Sequence, residues 1–568
     1  MRFRPCARRW RRRGPLAPRG WSSRPDATIS GPTARRKKYC FVSNNDPGLK
    51  RIAFPLDHAE NLEIDGGGAR FVFHGFVNPF VLDGAKKITL KHFSIDWARS
   101  FDSEAKILAV RPGSVDLQFS DQFPYRIDPG GVLTFIDRES PPNVYPAGGL
   151  LEFDPVRQET AFQAPDQFVG PTYFADALAP GQVRLKLDNF QGTPGNTLVF
   201  GDGARRCPAI IVSDSAQTRI EGVTIYHAGG MGIIAQRSRD ITLDHVQVTP
   251  SPNSGRLISA SADATHFVNC RGQIAMTNCL FENQEDDATN IHGIYARIES
   301  QTSPTEFEVR LVHPQQLGFD FITPGEGLEL VHAPSLVTFG QVRVRKVERL
   351  NSEYARVTVE EPLPKECAAG DVVASIAGYP DVLVSHCVIR RNRARGLLLG
   401  SRGKIIIENN TFHTPGAAIL FEGDACHWFE QSGVRDCLIR NNTFDTCNYG
   451  VWGRAAIEVG SHIDPADRAH SRYNRNLRIE DNTFRVFDPR ILNVTSVDGL
   501  VFRRNQIVAS SDYPATHAGA ERFDVTFSDN VSIDDAAGQK HVDNAPAAGA
   551  GQNGAASRPA STVATSGK

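Results

Sequence analysis

The sequence predicts an all-β fold: a right-handed parallel β-helix with two small, antiparallel, barrel-like β-domains inserted into it. Three observations support this prediction. A short pattern of alternating apolar residues followed by Asn recurs through the middle of the chain. Two long stretches interrupt that rhythm with ordinary alternating strands. The 568 residues are too many for one compact globule, as expected of an elongated repetitive domain.

The recurring unit is a half-buried strand, because apolar and polar side chains alternate along it. Its shortest spacing is 23 residues, as between Thr483 and Gln506, and longer gaps indicate inserted loops. A repeat of about 20–30 residues without a helical pattern is typical of a parallel β-helix, and the Asn fits an inward-facing amide ladder at a turn. A propeller needs blades of about 40–45 residues, and the leucine-rich pattern is absent, so both are less favoured. The clearest copies are KIIIENNTF at 404–412, CLIRNNTF at 437–444, LRIEDNTF at 477–484 and LVFRRNQI at 500–507.

These patterns divide the chain into seven segments. The ends are low in apolar periodicity and are predicted to be disordered tails. The predicted segments are a basic tail at 1–38, N-terminal coils at 39–99, an inserted β-domain at 100–205, catalytic coils at 206–295, a barrel-like insertion at 296–376, C-terminal coils at 377–535 and a tail at 536–568.

The basic N-terminal stretch has no recognisable secretory signal. Residues 2–38 hold 13 Lys and Arg but one acidic residue, Asp26, and no apolar segment follows them. Such a stretch is typical of a nucleic-acid-binding tail or a twin-arginine signal, or of a terminus without function. We favour the last interpretation.

Composition excludes several classes of protein. The formal net charge of -1 argues against nucleic acid or an anionic membrane as the main partner of the folded part. No apolar run approaches the roughly 18 residues of a transmembrane helix. Ten Cys are too few for a disulfide scaffold, and no Cys-x-x-Cys pair supports a zinc ribbon.

The richest chemical segment carries three carboxylates. Asp263 precedes Asp286 by 23 residues and Asp287 by 24, which is one coil, and His292 follows closely. Residues one coil apart lie one above the other, so the three carboxylates are expected to cluster. Like charges this close raise at least one pKa, leaving a protonated acid beside ionised neighbours. Hydrolysis of a glycosidic bond with inversion needs that arrangement.

Polygalacturonase-type hydrolases also place an Asp one coil before an Asp-Asp doublet, although their strict Asn-Thr-Asp and Gly-His-Gly strings read Ser-Ala-Asp and Ile-His-Gly here. From about Tyr39 to about Ile533, the chain more closely resembles glycoside hydrolase family 110, the bacterial α-1,3-galactosidases that act on blood-group-B-type glycans. The matching strings are IDGGGARFVFHG at 64–75, LKHFSIDWARSFDS at 90–103, DATHFVNCRGQI at 263–274 and QEDDATNIHGIYARI at 284–298.

The resemblance implies a β-helix hydrolase that removes terminal α-galactose from glycans with inversion and without a cofactor. No metal ion is expected, because a bound divalent ion would oppose the protonation that one of the three Asp needs. The resemblance implies that Asp286 is the acid and that Asp263 and Asp287 activate water. It also implies secretion or a periplasmic location, although an Arg-rich stretch stands where an export signal is expected.

Five further residues are candidates for binding the substrate. His292 and Glu285 neighbour the doublet, and Glu285 is also placed to tune the pKa of the doublet or to face solvent. Glu422, Trp428 and Glu458 stand on later coils. A carboxylate accepts hydrogen bonds from sugar hydroxyls, and an aromatic face packs on galactose. Turn formation and core packing are the alternatives for these three.

Other functions compatible with the pattern are a polygalacturonase-like hydrolase, a polysaccharide lyase, and a non-catalytic glycan-binding β-helix such as an adhesin or tailspike. A lyase needs a basic residue at the site, and the bases nearest to the doublet in sequence are Arg271 and Arg297. A non-catalytic module would leave the three-Asp cluster unexplained. The sequence predicts no oligomeric state.

Overall fold

The computed structural model describes residues 11–12, 19–22, 36–46, 48–167, 170, 172–202, 204–534 and 540–541. Strands dominate these residues, with a short 3-10 helix at Pro314–Gln316. Across the described ranges, no helix is long and apolar enough to cross a membrane.

Most of the two predicted tails, 1–38 and 536–568, lies outside the described residues. In the described parts of these tails, the backbone pairs with neighbouring strands. The paired segments are Arg11–Arg12, Arg19–Ser22, Arg36–Cys40 and Lys540–His541.

Each regular coil contributes one strand to one sheet and two to another, and both sheets are mainly parallel. Sheet 1 holds the paired strands of the coils and has 21 strands. They are Arg11–Arg12, Arg19–Ser22, Glu60–Phe73, Lys86–Trp97, Ala216–Ile225, Arg239–Asp244, Gln247–Val248, Arg271–Thr277, Leu280–Glu282, Asp381–Ser385, Val388–Arg390, Lys404–Glu408, Thr411–His413, Asp436–Arg440, Thr443–Asp445, Asn474–Glu480, Thr483–Val486, Val497–Arg503, Gln506–Ala509, Asp529–Asp534 and Lys540–His541.

Sheet 2 holds the remaining strand of each coil, and its outer face carries the candidate site. Apolar side chains point inward from it, including Phe267 and Ile291. Its 13 strands are Arg36–Cys40, Gly48–Asp57, Asn78–Asp83, Ile210–Ser213, Ile233–Gln236, Thr265–Val268, Thr289–Ile294, Leu397–Leu399, Ile419–Phe421, Glu430–Gln431, Ile457–Val459, Leu492–Thr495 and Phe523–Thr526.

The predicted pairing of one coil with the next is confirmed. Thr483 pairs with Gln506 at the 23-residue spacing. One hydrophobic cluster runs through the coils from Ile64 to Ile533, so the stacked inward side chains form a single core. The architecture is therefore the predicted parallel β-helix.

The bend between the two sheet 1 strands of a coil explains the repeated Asn. One residue there adopts a left-handed backbone, as at Asn441 with φ 54°, and the next side chain turns inward. Asn410, Asn442 and Asn482 follow such residues and stack, with Nδ2–Oδ1 distances of 2.9 Å between neighbours. The predicted amide ladder is confirmed, and it continues to Asn505.

The first insertion is an antiparallel sheet of ten strands, which fall within the predicted segment 100–205. In spatial order its strands are Tyr125–Ile127, Val132–Ile136, Tyr173–Ala179, Gln182–Lys186, Ser114–Phe119, Ser103–Arg111, Thr197–Asp202, Ala147–Asp154 and Glu159–Thr160, with Val144–Tyr145 on Val132–Ile136.

The second insertion is a closed antiparallel barrel of six strands, and it falls within the predicted segment 296–376. Its interior is a separate apolar cluster that includes Phe307 and Leu330. In order around the barrel, its strands are Ala296–Ser303, Glu306–Arg310, Tyr354–Val359, Val337–Arg349, Gly327–His332 and Val372–Ser375.

We expect Asn442→Ala to destabilise the β-helix by about 3 kcal/mol, because the backbone N–H and the Nδ2 of Asn410 lose their acceptor, Asn442 Oδ1. The measurement is the midpoint of thermal unfolding by calorimetry. The control is Asn493→Ala, which removes an exposed hydrogen bond to Asp524 and should change stability by less than about 0.5 kcal/mol. Equal shifts in the two variants would contradict a stabilising role for the ladder.

Candidate active site

The three carboxylates lie on stacked turns that lead into sheet 2. Thr265 pairs with Thr289, and Thr289 pairs with Leu397. The residues two positions earlier, Asp263, Asp287 and Arg395, therefore occupy equivalent places on three consecutive coils. The backbone N–H of Ala264 donates to Asp287 O at 3.0 Å, which ties the turns together. The prediction that Asp263 lies beside the doublet is confirmed.

Asp287 is buried between a carboxylate and an arginine. Arg395 donates to it twice, from the backbone N–H to Oδ1 at 2.9 Å and from a guanidinium nitrogen to Oδ2 at 3.0 Å. Burial raises the pKa of Asp287 well above its usual range. The positive charge of Arg395 acts to lower this pKa, and the negative charges of Asp286 and Asp263 act to raise it further.

Asp286 lies among three arginines. Arg205 donates to its Oδ2 at 2.8 Å, and an Arg393 nitrogen lies 3.6 Å from its Oδ1. Burial acts to raise the pKa of Asp286, but the charges of Arg393, Arg205 and Arg395 outweigh it and hold the pKa below the usual value. Asp286 is therefore ionised in the substrate-free protein.

The pKa of Asp263 is shifted upward, in the opposite direction to that of Asp286. Its Oδ2 lies 2.6 Å from Nδ1 of His266, and both residues are buried. Burial and then the charge of Asp286 raise the pKa of Asp263 to about 8, and Arg205 and Arg395 reduce that rise. The raised pKa values of Asp263 and Asp287 and the lowered pKa of Asp286 agree with the predicted coexistence of a protonated carboxyl and an ionised neighbour.

His292 joins the same cluster through His266. The two Nε2 atoms lie 3.0 Å apart, and His292 Nδ1 donates to Gly293 O at 2.7 Å. Glu430 Oε1 lies 3.5 Å from His292 Nε2. Burial lowers the pKa of His292, and burial lowers that of His266 to about 3, so both imidazoles are neutral.

Glu285 points away from the doublet toward the first insertion. Its carboxyl shares a hydrogen bond with buried Asp102. Gly201 makes room for it, since a Cβ there would lie 2.7 Å from Glu285 Oε2. Burial and the charge of Asp102 raise the pKa of Glu285 well above its usual value, so the pair holds a proton.

Glu422 and Glu458 lie on the outer face of sheet 2, farther along the β-helix. Glu422 accepts a 2.6 Å hydrogen bond from Nε2 of His462, and its charge contributes to the raised pKa of Arg395. Glu458 is largely buried and accepts from the backbone N–H groups of Arg454 and Ala455, which fits turn stabilisation.

Trp428 lies between a β-helix loop and the barrel. Its ring packs on His313, with centroids 4.6 Å apart, and its carbonyl accepts from Gln316 Nε2 at 2.9 Å. Asp424 holds the loop by accepting the backbone N–H of Trp428 at 3.0 Å. The ring is half-buried, so part of its surface is accessible.

Comparison with known proteins agrees with this architecture. Family models match at three places, as GLAA-B beta-barrel domain I at 103–198, GLAA-B beta-barrel domain II at 306–373 and a right handed beta helix region at 373–545. An alpha-1,3-galactosidase A of Shewanella woodyi is 38% identical over 490 residues, covering 85% of this chain and 79% of that protein. An alpha-1,3-galactosidase B of Bacteroides thetaiotaomicron is 32% identical over 493 residues, with the same coverage.

The chain belongs to glycoside hydrolase family 110, the α-1,3-galactosidase family. Among solved structures, a Yersinia enterocolitica family 28 exopolygalacturonase is 10% identical, with a TM-score of 0.33 and coverage of 85% of this chain and 71% of that one. This distant likeness carries no functional argument.

Four residues that sequence reasoning missed lie beside the three clustered aspartates: Arg205, Arg393, Arg395 and His266. Arg205, Arg393 and Arg395 are bases beside the doublet. The bases named from sequence proximity lie elsewhere, since Arg271 pairs with Glu326 of the barrel and Arg297 with Glu299. The coil register is the sequence feature that could have identified Arg395, because Arg395 lies one coil after Asp287 once the inserted barrel is left out.

A separate cavity of about 190 Å³ lies between the first insertion and the β-helix. Its lining includes Arg70, Asp96, Trp97 and Arg256, and none of the three clustered aspartates. Asp96 pairs with both arginines there. In the part of the chain that the structure describes, no group of three or more His, Cys, Asp or Glu side chains is arranged to hold a metal ion.

The raised pKa of Asp263 predicts how stability varies with pH in this family 110 protein. A carboxyl whose pKa is higher in the folded state stabilises the protein below its unfolded pKa, and that contribution is lost as pH rises toward about 8. Asp263→Asn removes the titration, since its amide can still donate to His266. We expect its unfolding midpoint, relative to the parent, to rise by at least about 2 °C between pH 5 and pH 8.5.

Scanning calorimetry at both pH values measures this difference. The control is Asp188→Asn, which changes an exposed carboxyl on the first insertion and should show no such trend. A difference between Asp263→Asn and the parent that stays constant with pH would mean that Asp263 is ionised throughout.

Proposed function

We propose that the protein is an exo-acting, inverting α-1,3-galactosidase that removes terminal α-1,3-linked galactose from blood-group-B-type glycans and from linear α-1,3-galactosides. The observation that carries the proposal is the buried cluster of three carboxylates on consecutive turns, in a chain that belongs to family 110. Inversion needs one carboxyl to protonate the leaving oxygen and another to deprotonate water.

Within this proposal, Asp286 is the acid, and Asp263 and Asp287 act on the water. Exposure supports this order, because 17% of the Asp286 side chain is accessible, against 4% for Asp263 and 3% for Asp287. Asp286 is therefore the carboxyl that a departing sugar oxygen reaches most readily.

The resting proton must move for this assignment to work, because Asp286 is ionised and Asp263 is protonated before substrate binds. A neutral sugar that separates Arg205 from Asp286 would remove one of the three positive charges that lower the Asp286 pKa, leaving those of Arg393 and Arg395. Substrate binding would thereby favour the uptake of a proton from solvent by Asp286, which is the most exposed of the three carboxyls, while the proton of Asp263 must leave by a separate path. The reverse order, with Asp263 as acid, is the alternative that the free-protein electrostatics favours.

The pairing of the arginines supports a neutral substrate over the uronate of a lyase. Arg205 pairs with Asp286 and Arg395 with Asp287. Arg393 pairs with Asp166 at 2.8 Å. A negatively charged sugar would have to compete with these carboxylates for an arginine, whereas galactose carries no charge that competes with them.

Proton NMR of a reaction with an α-1,3-galactosyl disaccharide tests the proposed function. We expect cleavage of the α-1,3 bond, with β-galactose appearing first and α-galactose growing later by mutarotation. First release of α-galactose would reject inversion. The appearance of an unsaturated sugar, or no turnover of α-1,3-galactosides, would reject the galactosidase proposal.

The order of roles is tested by changing the leaving group. Asp286→Asn should lose about 10²–10⁴ in kcat on a natural disaccharide and much less on an aryl galactoside, which needs little protonation. Asp263→Asn and Asp287→Asn should lose activity on both substrates alike, because every substrate needs activated water. If Asp263→Asn is the variant that the aryl leaving group rescues, the roles of Asp286 and Asp263 are exchanged.

A further inference from the structure

Behind Asp263, two histidines and a glutamate form a continuous chain of polar contacts. Asp263 Oδ2 lies 2.6 Å from His266 Nδ1, His266 Nε2 lies 3.0 Å from His292 Nε2, and His292 Nε2 lies 3.5 Å from Glu430 Oε1. Asp263, His266 and His292 are each at most 4% exposed. The chain therefore runs beneath the site and exchanges little with solvent.

The proton positions on the two histidines can be derived from the carbonyl of Gly293, which contacts His292. Gly293 O can only accept, so His292 Nδ1 carries a hydrogen. A neutral His292 then has a lone pair on Nε2, which requires His266 to donate from its own Nε2. A neutral His266 has its lone pair on Nδ1, and the short contact with Asp263 then requires a protonated carboxyl.

The charges around the chain agree with this arrangement. Arg205 lowers the pKa of His266 in addition to burial, and Asp286 opposes it. At the far end, Glu430 and Asp424 act to raise the pKa of His292. A positive charge is thus disfavoured at His266 and better tolerated at His292. Burial raises the pKa of Glu430 to about 7, and His292 counteracts that rise.

Backbone pairing fixes Glu430 at its place. The strand Glu430–Gln431 pairs antiparallel with Gly293 and Ile294. Gly293 is required there, because a Cβ would lie 2.0 Å from an oxygen of the Gln431 side chain. The glycine after His292 thus allows the strand that carries Glu430 to approach.

We propose that His266, His292 and Glu430 form a proton relay that converts Asp263 from a neutral acid into a carboxylate when the site needs a base. The proton on Asp263 Oδ2 passes to His266 Nδ1 while the proton on His266 Nε2 passes to His292 Nε2. No proton is lost: Asp263 becomes negative, and His292 becomes an imidazolium beside Glu430. His266, His292 and Glu430 are positioning residues, and the proposal rests on the proposed function only for the use of Asp263 as a base.

This relay gives His292 a different role from the substrate contact suggested by the sequence. It also explains how a carboxyl that is protonated in the free protein can activate water in the complex. The counter-charge for the His292 imidazolium is Glu430, which sequence reasoning did not select.

The first test is nitrogen-15 NMR of the full chain labelled at histidine, with His266→Asn and His292→Asn used for assignment. From pH 5 to pH 8, we expect His266 as the neutral Nε2–H tautomer and His292 as the neutral Nδ1–H tautomer. Asp263→Asn should leave both unchanged, because its amide donates to His266 as the protonated acid does. An Nδ1–H tautomer or an imidazolium at His266 would overturn the proposal.

The second test is kinetic and uses Glu430→Gln, which preserves size but removes the counter-charge for His292. We expect kcat on an α-1,3-galactoside to fall at least about tenfold, with KM changed less than about threefold. The control is His245→Asn, which alters an exposed histidine that contacts Asp244 and should leave both constants unchanged. An unchanged kcat in Glu430→Gln would overturn the relay. If the parent chain does not cleave the substrate, the proposed function is rejected. The NMR measurement of the His266 and His292 tautomers still tests the proposed proton arrangement in that case.

Discussion

The parallel register of sheet 2 is the constraint on which the site depends. Hydrogen bonds hold neighbouring strands about 4.8 Å apart, so equivalent residues of successive coils are forced together whatever their charge. Asp263 and Asp287 are such a pair. Two ionised carboxylates at about 5 Å repel by about 3 kcal/mol at an effective dielectric constant of 20. Burial raises the pKa of both carboxyls, and the charge of Asp263 adds to the rise at Asp287.

The same register places one of the positive charges that offset the clustered carboxylates. Arg395 is the next member of the column and pairs with Asp287, while Arg205 comes from the segment that follows the first insertion and pairs with Asp286. Asp263 alone among the three faces a neutral histidine. Each carboxyl thus meets a different neighbour, and the pKa of Asp286 is lowered while those of Asp263 and Asp287 stay raised.

Sequence reasoning could predict which residues lie side by side where the 23-residue repeat is uninterrupted. It placed Asp263 beside the doublet, because only one uninterrupted coil separates them. It missed Arg395, because the inserted barrel stretches the same one-coil step to 108 residues, from Asp287 to Arg395. It also missed Arg205, whose approach depends on where the first insertion returns to the β-helix. The direction of Glu285 toward Asp102 depends likewise on packing between domains, which no local pattern encodes.

The barrel supports the groups that lie behind the clustered carboxylates. It leaves sheet 2 directly after Ile294, and its helix donates Gln316 Nε2 to the carbonyl of Trp428. Two residues later the chain forms the strand that sets Glu430 beside His292. The barrel is inserted between two coils, and it supports the loop of a third coil that carries Trp428. That loop leads to Glu430, the last of the polar groups that begin at Asp263. The repeat brings the carboxylates together, and the interruption of the repeat determines what lies behind them.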